Sequence, residues 1–429
     1  MGKVDRSRIS EHILMHKDVE TMALQFDAET GKIHKVTDII DEAHAPLAYL
    51  QDISPQRRKK NLAQSMRAWA GITKYMPGNR VGVQSFEHEL GMSRERMALL
   101  ARWMSPADQY WLRGVGEDAT HAGLNFFQNR RESTSVSSFM GEFGSELVRD
   151  DTEDSAVPAT NGRMLKSWIY KNGGLHLMKS DEVQQGVLNE AIGTFVNQEF
   201  GFPHVPYTTI FHYDPQARRA RPYSCCPAFT DKDTDFIPAS SITSVLRREN
   251  HESEFQHYMR CCKHLGINPL AVQSALSRFT LVDSILCNQD RHYGNFGHLR
   301  DADTLEFVKA VPYFDADQSL WAHNEASAGN TGFYDPNQIA GRTVDTVRNP
   351  FSGCFKRKMN DTLELMVKSD TGMIFAEGLS VFPRLRKMLP EFTYETLKRG
   401  DITSERLDLI IRGLKIRMDM TEGIIKRNI

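Results

Sequence analysis

The chain has 429 residues, 25% charged and 40% hydrophobic, and its 53 basic residues nearly cancel 55 acidic ones, leaving a formal net charge of −2. That balance excludes the electrostatic footprint of non-specific nucleic-acid binding, and the length suffices for roughly two to four domains whose cores need no covalent staple. Six cysteines without a CxxC pair exclude a disulfide scaffold, a zinc ribbon and a thioredoxin-type motif.

Reduced, mostly buried thiols in a cytoplasmic protein are the expectation. The opening stretch MGKVDRSRISEHILMHKD has no apolar h-region, and Arg6 stands where N-myristoylation wants Ser or Thr. No apolar run is long enough to span a bilayer, so no membrane partner is expected. Val19 to Phe26, a turn at Asp27–Gly31 and Lys32 to Val36 read as a hairpin. The basic run Arg57–Lys60 reads as a solvated helix start. Leu62, Met66, Trp69 and Ile72, then Phe86, Leu90, Met97, Leu100 and Trp103, recur at helical spacing. Ser105-Pro106-Ala107-Asp108 predicts one more helix start before Tyr110. Trp69, Trp103, Trp111, Phe126 and Phe127 are read as the core of this N-terminal part rather than as a stacking site.

The acidic stretch 142–154 is the candidate boundary. Beyond it, Arg163 to Tyr170, a Lys171–Gly174 turn and Leu175 to Lys179 predict strand–turn–strand. Residues 186–200 predict an amphipathic helix with Val187, Ala191, Phe195 and Val196 on one face, and Val205 to Tyr213 a strand. From about residue 240 the pattern is mainly helical, ending in a helix over Ser404–Ile425. No HExxH, Walker A, GxSxG or GxGxxG motif occurs, so zinc-peptidase, P-loop, hydrolase and dinucleotide readings have no support.

The chemistry concentrates in LVDSILCNQDRHYGNF, residues 281–296, where an apolar helical run ends in Asp290, Arg291, His292 and Asn295. Phosphoryl transfer needs a carboxylate beside the accepting hydroxyl and short oxygen ligands for a metal, and an Asp with an Asn five residues later supplies both from one loop. Downstream, VPYFDADQS reads as an apolar strand delivering Asp315 into a turn, with Asp317 a turn former or a neighbour of the site. Upstream, Lys179 ends a strand and Glu190 lies on the next helix, a pair able to present one fixed positive charge to nucleotide phosphates. The plainer readings are a helix-capping Asp290, a solvated Lys179 and a His292 hydrogen-bonded to backbone. The chain order Lys, Glu, Asp…Asn, Asp favours the functional one.

NQDRHYGNFG followed by PYFDADQS resembles the catalytic and metal-binding loops of HipA-like serine/threonine kinases, the toxins of bacterial toxin–antitoxin systems and their relatives. TNGRMLKSWIYKNGGLHLMKSD, NEAIGTFVNQEFGFPHVPY and CCPAFTDKDTDFIPA resemble the family's phosphate-loop, glutamate-helix and hinge passages. The likeness is strongest over about residues 155–355. The resemblance implies Asp290 as catalytic base, Asn295 and Asp315 as Mg²⁺ ligands, and Lys179, fixed by Glu190, on the ATP phosphates. It further implies phosphate cover from residues Gly162 to Lys166 and an adenine pocket lined by Cys225 to Phe229, Cys226 included; His292, from the loop itself, is a candidate nucleotide contact. SAVPATN ahead of Gly162 departs from a glycine-rich loop.

The expected fold is therefore α+β, bilobal and protein-kinase-like (HipA-like). An N-terminal helical extension with a small β element (1–144) precedes a small lobe (145–231) and a mostly helical large lobe (232–429). The expected function is ATP- and Mg²⁺-dependent phosphorylation of a protein Ser or Thr, with an antitoxin as a potential partner and no direct nucleic-acid contact. The alternatives are a lipid or small-molecule kinase and a nucleotide-binding pseudokinase.

Overall fold

The computed structural model describes residues 8–50, 55–76, 87–88, 90–129, 165–180, 184–214, 218–322, 359–370, 373–400 and 402–429. Gly162, the segment ahead of it and the acidic stretch 142–154 lie outside the described residues. Contacts divide the α+β chain into two compact units, each assembled from separated stretches. The first comprises Met1–Met178, Ala228–Arg247 and His298–Val308, and the second Lys179–Pro227, Arg248–Gly297 and Lys309–Ile429. Among the described residues, no helix is long and apolar enough to cross a membrane.

In the first unit, β1 (Ile9–His16), β2 (Val19–Asp27), β3 (Ile33–Ile39) and β4 (Tyr110–Gly114) form an antiparallel sheet in the order β3-β2-β1-β4. The expected hairpin is β2–β3. Its turn is made by the Asp27 carboxylate, which accepts from the N–H groups of Glu29 and Thr30 at 3.0 and 2.8 Å. Gly31 closes the turn at φ +70°, where an added Cβ would also fall 2.3 Å from the Arg96 nitrogen. Helix α1 (Pro55–Thr73) packs Leu62, Met66, Trp69 and Ala70, spaced one and two turns apart, against Leu14, Met22, Leu24 and Phe26 of the sheet. Helix α2 is Arg94–Leu100. Trp69 and Trp103 meet edge to face at 5.9 Å in this core, while Trp111 and Phe126 belong to a second cluster.

The helix expected to start at Ser105 is absent. Ser105 and Asp108 form an isolated bridge, and the chain runs directly into β4. Local capping loses here to tertiary partners. The buried Lys74 ammonium pairs with Asp108 and donates to the Tyr110 carbonyl at 3.0 Å, holding the backbone extended. Further on, β5 (Leu165–Lys171) and β6 (Gly174–Ser180) are joined as expected by a tight turn, with Asn172 and Gly173 both at positive φ.

The second unit holds α3 (Gln184–Phe200), the antiparallel pair β7 (Thr208–Asp214) and β8 (Arg219–Pro227), and then, after β9 (Thr234–Pro238), the helices α4 (Glu254–His264) and α5 (Pro269–Leu286). Strands β10 (Gly297–Asp301) and β11 (Phe307–Ala310) precede α6 (Met359–Lys368), α7 (Ile374–Leu379), α8 (Phe382–Leu397) and α9 (Ser404–Asn428). Helix α5 is buried along most of its length, as its nearly continuous apolar composition demands. Asn268 caps it, Pro269 takes the first turn, and Cys287 in the left-handed conformation (φ +55°) ends it.

One buried carboxylate organises the first unit. Asp235, fully buried on β9, accepts from His16 Nε2 at 3.0 Å, from Arg300 Nη2 at 2.7 Å and from the Gln109 N–H at 2.9 Å. Burial alone would raise its pKa, but the His16 and Arg300 charges hold it far below the usual carboxylate range. Asp235→Asn leaves Arg300 buried without its counter-charge and is predicted to cost about 3–5 kcal/mol in urea unfolding. Because the folded pKa is depressed, the wild-type advantage is full above the unfolded value of about 4. It is lost only as pH falls from there towards the folded value.

Candidate active site

The second unit brings together side chains from four separated segments. Lys179, next to the end of β6, is buried, and its Nζ lies 2.5 Å from Glu190 Oε1 and in direct ion-pair contact with Asp315. Burial by itself would lower the Lys179 pKa. The Asp315 and Glu190 carboxylates outweigh it and hold the ammonium charged well above its ordinary value. Glu190 is pushed up by burial, against the pull of Lys179 and with a further push from Asp315. Its second oxygen accepts from the Ala316 N–H at 2.9 Å, so one glutamate fixes both the lysine and the segment carrying Asp315.

Helix α3 places Glu190 by close approach. An added Cβ on Gly193 would fall 2.7 Å from the Ala316 Cβ, so only glycine lets the helix meet this segment. Asn189 Nδ2 donates to the carbonyls of Asp317 and Ser319 at 3.1 and 2.7 Å, and Gln185 Nε2 donates to Leu320 at 2.8 Å. The expected strand over Val311–Asp315 is not formed. Tyr313 makes only an isolated parallel bridge with His204, and Asp315 sits at φ +63°. Instead, Val311 and Tyr313 bond to scattered backbone groups, while Arg291 and Asn288 take the carbonyls of Phe314 and Asp315.

The Asp290 loop follows the left-handed end of α5. The Asn288 side chain joins it to the Asp315 segment, accepting from the Asp290 N–H at 3.2 Å and donating to the Asp315 carbonyl at 3.3 Å. Asp290 and Asp315, 25 positions apart in sequence, thus share one amide. Asp290 is the more open of the two, with 52% of its side chain exposed against 12% for Asp315. Asn295 is buried and donates its Nδ2 to the Asp290 carbonyl at 2.9 Å, which ties the two ends of the loop together. His292 Nδ1 accepts from the Gly294 N–H at 2.9 Å. Its Nε2 lies 3.9 Å from an Asp290 oxygen.

Glu190, Asp315 and Asp317 each place an oxygen within 4.8 Å of the others. An all-oxygen set of this kind suits a hard divalent cation such as Mg²⁺, and Asn295 would add one more oxygen. Cys226 on β8 is buried, with its thiol pushed up to about 12 by burial, so it is neutral and unreactive. Lys166, buried on β5, and Phe229, edge to face with Phe236 at 5.4 Å, belong to the first unit. Asp317, read in the sequence as a turn former or a neighbour of the site, joins the acidic cluster. Asn288, Asn189 and Asp283 act only through space and left no spacing signal.

Gly193→Ala is predicted to destabilise the protein by about 1–3 kcal/mol in spite of alanine's better helix propensity. The double variant Gly193→Ala/Ala316→Gly should recover most of that loss in the same denaturant titration.

No protein-family model matches the chain, and no curated protein matches it. Among solved structures it is similar to HipA of Shewanella oneidensis MR-1, determined in a complex of toxin HipA, HipB and operator DNA. The TM-score is 0.54 at 12% identity, over 97% of each chain. It also matches the proinflammatory kinase CtkA of Helicobacter pylori at 15% identity, over 62% of this chain and 95% of that one, with a TM-score of 0.46. At this identity the HipA likeness shows the fold, and the chain has the α+β, HipA-like fold that its loop motifs resemble.

Proposed function

We propose that this chain is an ATP- and Mg²⁺-dependent kinase that transfers the γ-phosphoryl group to a hydroxyl, with a protein serine or threonine as the acceptor. The observation that carries the reading is the linkage of Lys179, Glu190, Asp315 and Asp317 to the Asp290–Asn295 loop through Asn288. The HipA-like fold supports it.

In this reading the Lys179 ammonium, held by Glu190, faces the nucleotide phosphates. Asp315, Asp317 and the Asn295 oxygen would hold Mg²⁺, which when bound neutralises charge on the phosphates. Asp290 orients the acceptor hydroxyl. As its oxygen bonds to the γ-phosphorus and the bond to ADP breaks, the hydroxyl proton passes to the Asp290 carboxylate. Catalysis then comes from positioning and charge neutralisation, with no covalent enzyme intermediate. Within the second unit, Cys226 would line the adenine, as the family resemblance implies, and His292 would contact the nucleotide. The solved HipA neighbour is bound to HipB and operator DNA. That lends support to an antitoxin-type partner here and none to the expectation that nucleic acid plays no part.

Asp290→Asn should abolish phosphate incorporation from γ-labelled ATP while leaving nucleotide affinity within about threefold, since the change is isosteric and removes only the base. Retained turnover would remove Asp290 from the chemistry. Asp315→Ala should weaken Mg·ATP binding by about tenfold or more in calorimetry. Unchanged affinity would move the metal role elsewhere. A panel of protein, lipid and small-molecule hydroxyl acceptors, with Asp290→Asn as control, decides the acceptor class.

A further inference from the structure

The Arg291 side chain is fully buried and reaches across the site without contributing to the chemistry assigned above. Its Nε and Nη2 donate to the two oxygens of Asp283 on α5, each at 3.0 Å. Its Nη1 donates to the carbonyl of Asn295 at 2.9 Å and to that of Phe314 at 2.5 Å. One planar guanidinium therefore holds the last residue of the Asp290–Asn295 loop and the residue before Asp315. The Tyr313 ring lies over it at 4.5 Å.

Asp283 is the base of the same device. Besides Arg291, its Oδ1 accepts from the Tyr313 hydroxyl at 2.6 Å and from Asn288 Nδ2 at 2.9 Å. Three consecutive residues are thus tied to one carboxylate–guanidinium pair: Tyr313 by its hydroxyl, Phe314 by its carbonyl, and Asp315 by its carbonyl through Asn288. Burial would lower the Arg291 pKa, but Asp283 and the other neighbours hold it above the usual arginine value, so the fork stays charged. A lysine would keep the charge opposite Asp283. Its single nitrogen cannot reach Asp283 and both carbonyls in the geometry of a fork.

We propose that Arg291 is a positioning residue that sets the separation between the Asp290–Asn295 loop and the Asp315 segment, and so pre-forms the cation site. The proposal rests on the kinase reading above, yet the mechanical link it describes is measurable without turnover. The discriminating variant is Arg291→Lys in the full chain, checked for retained fold by circular dichroism.

Three measurements follow: hydrogen exchange over residues 312–318 in the free protein, Mn²⁺ affinity by calorimetry with a non-hydrolysable ATP analogue, and the split of kcat against KM for ATP. The expected results are faster exchange confined to that segment and to the 290–295 loop, and Mn²⁺ binding weaker by roughly tenfold. A kcat lower by about tenfold or more should accompany a KM for ATP within about threefold. Wild-type exchange together with wild-type Mn²⁺ affinity in Arg291→Lys overturns the proposal. If Arg291→Lys fails to fold, Tyr313→Phe, which removes one donor from Asp283 and no charge, must show the same changes at smaller size, and its identity to wild type overturns the proposal equally. Should the wild-type chain bind neither Mn²⁺ nor nucleotide, the kinase reading falls, while the exchange data still decide the link.

Discussion

A buried ammonium between two carboxylates is the constraint on which the second unit turns. Lys179 gives up hydration for Glu190 and Asp315, and such a group is tolerable in an interior only when its partners are close and themselves hydrogen-bonded. Glu190 meets that condition through the Ala316 N–H. With Asp317 beside them, three carboxylates crowd around the Lys179 ammonium, an excess of like charge when all are ionised. A divalent cation among the oxygens would discharge that excess, which is the electrostatic reason the cluster suits Mg²⁺.

The geometry that keeps this arrangement in place is built from backbone carbonyls captured by side chains. Asn189 and Gln185, one turn apart on α3, hold the carbonyls of Asp317, Ser319 and Leu320. Asn288 and Arg291 hold those of Asp315, Phe314 and Asn295. An irregular segment with only one isolated bridge must satisfy the rest of its polar backbone somehow. Here the satisfying groups lie on the helix that bears Glu190 and on the loop that bears Asp290, so the need to pair backbone groups also sets the register of the site. Gly193 permits it, since any larger residue would hold α3 off Ala316.

The first unit uses the same physics for a different end. Asp235 with His16 and Arg300, and Lys74 with Asp108, are buried ion pairs that tie strands and helix ends far apart in sequence. Their value is specificity of arrangement more than net stability, because desolvation cancels much of the attraction. They also explain why the segment after Ser105 runs as a strand: its carboxylate is taken by Lys74, just beyond the end of α1, before it can cap a helix.

Signals that live within one short stretch were legible in the chain alone. The Asn-Gly turn after Lys171, the helix over 186–200 (found from Gln184), the buried run ending at Cys287 and the DRHYGN loop announce themselves by local spacing, and the loop motifs carried the HipA-like fold. Apolar VPYF mimicked a strand, and Ser-Pro-Ala-Asp mimicked a helix start, because propensity cannot see which partner will claim a backbone group. That Asn288 would bridge Asp290 to Asp315, that Asp317 would join Glu190, and that Asp283 would anchor Arg291 became visible only in three dimensions. Each of these depends on distances between segments that the order of residues does not encode. A hydrogen bond of 3 Å is decided by packing, whereas a motif is decided by covalent neighbours.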